Sequence, residues 1–281
     1  MKKISAVLIA LAVLFTLGAC GKEPSPDPAT ETTAETTTES HTVRITFPEG
    51  YTLIEIAEKL EENGVCSAAD FMALTTDKEY LSTLEYSVLD GIENEENVAY
   101  FLEGFVFPDT YDFYRGESAR QALSRFLVNT ENKFTAEYRQ RAAELGYTVK
   151  DILAIASIIQ EEASDPKEMP RVSSVLHNRL TSPGYGMLQC DVTIHYVNKC
   201  IADSPYLDGD TSALADYYNT YKCKGVPAGP ICNPGLNAIR AALYPENTNY
   251  FFFVTDEDWN YYYAETYSEH QKNCRAVGIY G

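Results

Sequence analysis

A chain of 281 residues with 45% apolar content can bury a sizeable core, and a formal charge of −19 leaves no broad basic face for nucleic acid or for an anionic membrane surface. Its cysteines show no CxxC or zinc-ligand spacing, and His177, His195 and His270 are scattered, so no metal site is expected.

Residues 1–19, "MKKISAVLIALAVLFTLGA", place two lysines before an apolar stretch that is short for a bilayer span, and a signal peptide is predicted. "LGAC" resembles a bacterial lipobox, with Cys20 as the lipidated residue that anchors the chain to the membrane. The alternative is a single uncleaved N-terminal membrane helix. Either reading puts the remainder at the extracytoplasmic face of the cell membrane. Loss of Lys2 and Lys3 with the leader would take the charge from −19 to −21. Residues 20–41 are the lipidated cysteine and a disordered Thr/Glu/Pro-rich tether. Such a chain spans on the order of 25 Å, since it holds no large apolar side chain with which to build a core.

From Val43 the pattern becomes regular. "VRITF" alternates as a strand. Leu53, Ile56, Ala57 and Leu60 fall at helical spacing before Gly64, and a second short helix starts after Ser67. This β-α-α order over residues 42–98 resembles a LysM-like module of the kind that binds amino-sugar polymers, and a generic α/β packing unit fits the same pattern. Residues 99–281 are read as a mixed α/β domain, giving an α+β chain overall.

"LEGFVFPDTYDFY" (102–114) reads as extended, and residues 118–145 as polar and helical. Thr148 with Asp151 forms a capping-box signature that starts a helix at Val149, and Asp165-Pro166 disfavours its continuation. Glu162 therefore falls in the last turn. At about 100° per residue it lies within about 60° of Ile155, Ile158 and Ile159, whereas Glu161 is turned about 100° away. Burial and the negative end of the helix dipole both disfavour a charged Glu162, which is how a general acid is made. A structural ion pair with Arg171 or Arg179 would explain the same residue.

Two further clusters follow. "GMLQCDVTIHY" carries Gln189, Asp191, Thr193 and Tyr196. "YNTYKCKGVPAGPICNPG" carries Asn219, Thr220, Tyr221 and Asn233 on a loop stiffened by Pro227, Pro230 and Pro234. Amides on a rigid loop suit the hydroxyl and N-acetyl groups of a sugar, and they equally suit a loop that only fixes itself. Cys66, Cys190, Cys200, Cys223, Cys232 and Cys274 are even in number, which permits disulfides or free buried thiols. "NYYYAETY" is expected as a core strand.

"LEGFVFPDTYDF", "ASIIQEEA", "VSSVLHNRL", "MLQCDVTIHY", "YNTYKCKGVPAGPICNPGLNAIRAAL", "YFFFV" and the late "EH" stand in the order that resembles the endolytic murein transglycosylases (MltG, or YceG-like) over residues 43–275. The resemblance implies a cofactor-free lytic transglycosylase that cleaves peptidoglycan glycan strands between N-acetylmuramic acid and N-acetylglucosamine. It leaves 1,6-anhydro ends and limits nascent strand length, with cell-wall synthases as candidate partners. It places the catalytic acid on Glu162 and puts Gln160 at the first acidic position of the family's E-x-E segment. Gln189, Asp191, Asn219 and Asn233 would orient the sugar, with Thr193 in the same group, and Tyr196 or Tyr221 would stack on it. Val192 where the family often has proline, Cys190, a shortened N-terminal half and a lipid anchor in place of a membrane helix depart from the pattern. Two rivals remain: a catalytically silent peptidoglycan-binding lipoprotein, and a muramidase-type hydrolase using Asp191 as base or nucleophile.

Overall fold

Apolar alternation in the first strand and the first capping box set the N-terminal half of the computed structural model, which describes residues 41–279. The expected signal peptide, Cys20 and all of the tether except His41 lie outside the described residues. Strand β1 (Thr42–Thr46) pairs antiparallel with β2 (Thr110–Tyr114), Ile45 opposite Tyr111 and Val43 opposite Phe113. Phe47, Tyr111, Phe113 and Phe126 close into an aromatic cluster on the inner face, with ring centroids 4.5–6.1 Å apart.

Helix α1 (Leu53–Glu62) starts on a capping box between Thr52 and Glu55, and Leu53, Ile56, Ala57 and Leu60 are fully buried, as their spacing requires. It ends at Asn63, and the Val65 N–H donates to the Leu60 carbonyl while Gly64 turns left-handed at φ +69°, a Schellman-type stop. α2 (Ala68–Leu74) is capped by Ser67 as expected, and a single turn, α3 (Lys78–Leu81), follows. The partner of β1 lies at 110–114, Phe126 completes its aromatic cluster, and the buried core runs unbroken past residue 98.

The polar stretch expected as one helical region is two helices, α4 (Ala119–Lys133) and α5 (Ala136–Leu145). They are parted at Phe134, which turns inward, and the second starts on a Thr135 cap. α6 (Val149–Glu162) begins on the predicted Thr148–Asp151 capping box. Ile152 to Ile159 are buried on every side, because α7 (Met169–Thr181) and α10 (Leu236–Leu243) both pack against α6. Between them lie α8 (Asp191–Tyr196), a π-helical turn over 197–201, α9 (Ser212–Tyr218) and the proline-rich loop.

The chain finishes with the hairpin β3 (Phe252–Thr255) and β4 (Tyr261–Ala264) and with α11 (Tyr267–Ala276). The Tyr-rich segment is a strand but not a core strand. Side chains alternate between the two faces of the hairpin, so Tyr261 and Tyr263 are half-buried on one face while Tyr262 on the other is exposed. The six described cysteines are free thiols. Among the described residues no helix is long and apolar enough to cross a membrane.

One buried carboxyl ties the halves together. Glu103, fully buried, accepts hydrogen bonds from the Leu53 N–H (3.1 Å), the Asn233 amide (2.9 Å) and the Tyr196 hydroxyl (3.1 Å). Asn233 in turn accepts from the Val106 N–H and donates to the Tyr51 carbonyl. Next to Glu103, Gly104 adopts φ +84° with Pro230 so close that a Cβ would sit 2.5 Å from the proline ring, so only glycine fits.

Burial lifts the Glu103 carboxyl from its ordinary 4.5 to about 8, against the opposing effect of its hydrogen bonds. The unfolded chain ionises near 4.5 while the folded chain keeps its proton. The stabilising effect of a neutral Glu103 is therefore complete below that value and is lost as pH rises through about 8. Glu103→Gln should remove this dependence. Relative to wild type, the Tm of the variant should improve steadily between pH 5 and 8, and a Tm difference that stays constant across that range would contradict the assignment.

Candidate active site

Glu162 is the last residue of α6, where the backbone carbonyls are left without intrahelical N–H donors. The Tyr261 hydroxyl of β4 donates to its backbone carbonyl (3.0 Å), fixing the helix end against the hairpin. The half-buried Glu162 side chain faces a cavity of about 490 Å³ lined also by Arg179, Gln189, Asp191, Tyr221 and the inner side of β3. It has no cationic partner among the described residues. Arg171 pairs with Glu168 and Glu246 at 3.3 and 3.2 Å. Arg179 donates to the carbonyls of Phe251 (2.8 Å) and Leu188 (2.6 Å) and to the Gln189 side chain (3.2 Å). Neither arginine makes the structural ion pair that would account for Glu162.

Burial raises the Glu162 carboxyl from 4.5 to about 7, and the negative charge of Asp191 adds to the effect, while a hydrogen bond from the Cys190 thiol opposes it. A carboxyl in this range is populated in both protonation states near neutrality, as an acid that later serves as base requires.

Asp191 opens α8, and its carboxylate accepts from the Tyr221 hydroxyl at 2.6 Å. Gln189 sits at φ +55°, a conformation that non-glycine residues rarely hold. It is clamped by its own N–H on the Thr220 carbonyl (3.1 Å) and by Arg179 on its side-chain oxygen. The buried Arg179 guanidinium also lies over the Phe252 ring at 5.1 Å. This arginine sets the geometry of the cavity wall, a role that its place in "VSSVLHNRL" did not reveal.

The other expected sugar contacts divide. Asn219 is half-buried and accepts from the Tyr221 N–H (3.0 Å), so it stands behind the tyrosine rather than in the cavity. Thr193 is fully buried, bonded to Cys190 and Thr220. Asn233 is fully buried and bonded to Glu103, Val106 and Tyr51. Tyr196 is buried with its hydroxyl on Glu103, its ring beside Tyr218 rather than free to stack on a sugar. As the chain stands, Thr193, Tyr196 and Asn233 shape the site from behind. The polar atoms of Thr193 and Tyr196 face inward because α8 has one side against the core, and those of Asn233 are held inward by Glu103, Val106 and Tyr51.

Glu161 points to the other side of α6, as the helical register requires, and is exposed there. It lines a second cavity of about 250 Å³ with Glu49, Glu55, His195 and Lys199. Its carboxyl is raised, chiefly by burial. Lys199 there pairs with Glu55 at 2.6 Å. Gln160 accepts from the Gly235 N–H (3.0 Å) at the start of α10, a task that needs no charge. Among the described residues no three His, Cys, Asp or Glu side chains converge to hold a metal ion.

Comparison with known proteins matches the YceG-like family over residues 25–276. A Bacillus subtilis protein named endolytic murein transglycosylase is 29% identical over 233 residues, covering 82% of this chain and 63% of its own length. Its Streptococcus pneumoniae namesake is 26% identical over 242 residues, covering 82% and 43%. The chain thus spans less than two thirds of the length of these relatives. The crystal structure of a YceG-like protein from Listeria monocytogenes superposes with a TM-score of 0.66 at 29% identity, covering 82% of this chain and 75% of that one.

Proposed function

The chain belongs to the YceG-like family, and from that premise we propose that it is a peptidoglycan lytic transglycosylase with Glu162 as its one proton-transfer group. The observation that carries the reading is an unpaired carboxyl near neutrality facing a cavity of glycan-binding size. Protonated Glu162 gives its proton to the glycosidic oxygen as the bond from C1 of N-acetylmuramic acid to that oxygen breaks. The resulting carboxylate takes the proton of the C6 hydroxyl as its oxygen bonds to C1, which closes the 1,6-anhydro ring and restores the acid. Glu162 and the sugar's own hydroxyl suffice for these steps. The nearby charge of Asp191 favours the cationic character that develops at C1, and Tyr221 holds Asp191 in place. Gln189, beside Asp191 on the cavity wall, would accept or donate to the sugar.

Several wider assignments go with this reading. We assign residues 42–98 to a LysM-like module, supported by the β1-α1-α2 order, and residues 99–281 to the catalytic domain. Residues 1–19 act as an export signal and Cys20 as a lipid anchor, so the enzyme works on glycan strands at the outer face of the membrane. It shortens nascent strands there, with cell-wall synthases as neighbours.

Full-length protein incubated with nascent or purified glycan strands should release 1,6-anhydromuramoyl ends by mass spectrometry. Reducing muramoyl ends would instead assign a hydrolase that uses Asp191, and no cleavage would assign a binding protein. General acid catalysis contributes a factor of about 100 to 10,000, so Glu162→Gln should lower turnover at least about 100-fold with folding intact. Glu161→Gln, altering only the second cavity, should cost far less. Equal losses in the two variants would show that the carboxylates act as a pair.

A further inference from the structure

The hairpin that walls the Glu162 cavity ends in a turn that the packing of the fold does not use. Asp256 accepts hydrogen bonds from the backbone N–H groups of Asp258 (3.0 Å) and Asn260 (2.9 Å), from the Asn260 amide (2.9 Å) and from the Tyr262 hydroxyl (2.9 Å). This locked turn holds Trp259 at φ +63°, where a bulky side chain is a rarity. The indole is 66% exposed, the most exposed large apolar side chain among the described residues. A left-handed backbone at so bulky a residue is unfavourable for the fold itself.

Its location gives the turn a use. Two residues beyond Trp259, the Tyr261 hydroxyl holds the carbonyl of Glu162, and on the other arm Phe252 to Thr255 line the cavity. The indole is thus presented on a short, fixed connection at the side of the candidate active site. Glu257 and Asp258 flank it with negative charge, which repels anionic lipid headgroups and leaves a neutral partner favoured. A pyranose ring offers such a partner a face of C–H groups that packs on the electron-rich face of an indole.

We propose that Trp259 is a stacking platform for an N-acetylhexosamine ring of the glycan strand, outside the cavity that holds Glu162. The proposal rests on the reading of the chain as a peptidoglycan transglycosylase. It extends that site along the strand and gives the rigid Asp256 turn its function.

Trp259 is the one tryptophan of the chain, so its emission reports on this position alone. Full-length protein carrying Glu162→Gln, which does not consume its ligand, is titrated with peptide-free glycan strands. Tryptophan emission should shift and saturate. Adding Trp259→Gly should weaken binding roughly tenfold by calorimetry, the scale of a single stacking anchor. The same change should leave Tm unchanged or higher, because glycine adopts the left-handed backbone without strain. Unaltered emission while calorimetry records binding, or undiminished binding after Trp259→Gly, would overturn the platform and leave the transglycosylase reading standing. Absence of any glycan binding in calorimetry would overturn that reading and the platform with it. Emission that responds to phosphatidylglycerol vesicles and not to glycan would overturn the platform by assigning the ring to a membrane.

Discussion

The fully buried Glu103 carboxyl is the joint on which the rest of the structure depends. It receives the first N–H of α1, the hydroxyl of Tyr196 on α8 and the amide of Asn233 ahead of α10. Three segments far apart in sequence are thereby brought to one point, and α8 is held so that its first residue, Asp191, and the preceding Cys190 lie beside the end of α6. An unpaired buried carboxylate would be expensive, so burial keeps Glu103 protonated, and the neutral carboxyl then serves as a hydrogen-bonding hub. The same hub explains why Asn233 and Tyr196 face inward.

Glu162 differs from Glu103 in one respect that decides its chemistry. Glu103 is enclosed on every side by partners, whereas Glu162 opens on a cavity and has no partner that would fix one protonation state. Burial against the helix behind it, the negative helix end at its backbone and Asp191 alongside all favour the neutral form, against the opposing hydrogen bond from the Cys190 thiol. The cavity wall opposite is held still by Arg179, whose guanidinium spans two backbone carbonyls and the Gln189 side chain. A strained Gln189 and a strained Trp259 both belong to segments around this cavity, which fits the tendency of such outliers to gather where function requires them.

Local chemistry was legible in the sequence. The Thr148–Asp151 capping box, the Leu53–Leu60 apolar spacing and the register that separates Glu161 from Glu162 are all short-range, and each holds in the structure. Long-range partnership was not legible. Glu103 sits in "LEGFVF", where a lone carboxylate between apolar residues was the only sign of a buried hub, and nothing in that run points to Tyr196 or Asn233. Thr193, Tyr196 and Asn233 carry the right groups for a sugar, but side-chain type does not say which face of α8 or of the loop meets the core. Nor does composition show that Glu161, turned away from Glu162, meets a cavity of its own formed by α1 and α8.

The central claim is that the fold holds one carboxyl, Glu162, poised between proton donor and acceptor at neutral pH. Infrared difference spectroscopy across a pH titration, with Glu162→Gln as the spectral control, measures this directly. The Glu162 carboxyl band should give way to carboxylate near pH 7. Ionisation complete near the ordinary value of 4.5 would contradict the account, because the group would then have no proton to give at neutrality.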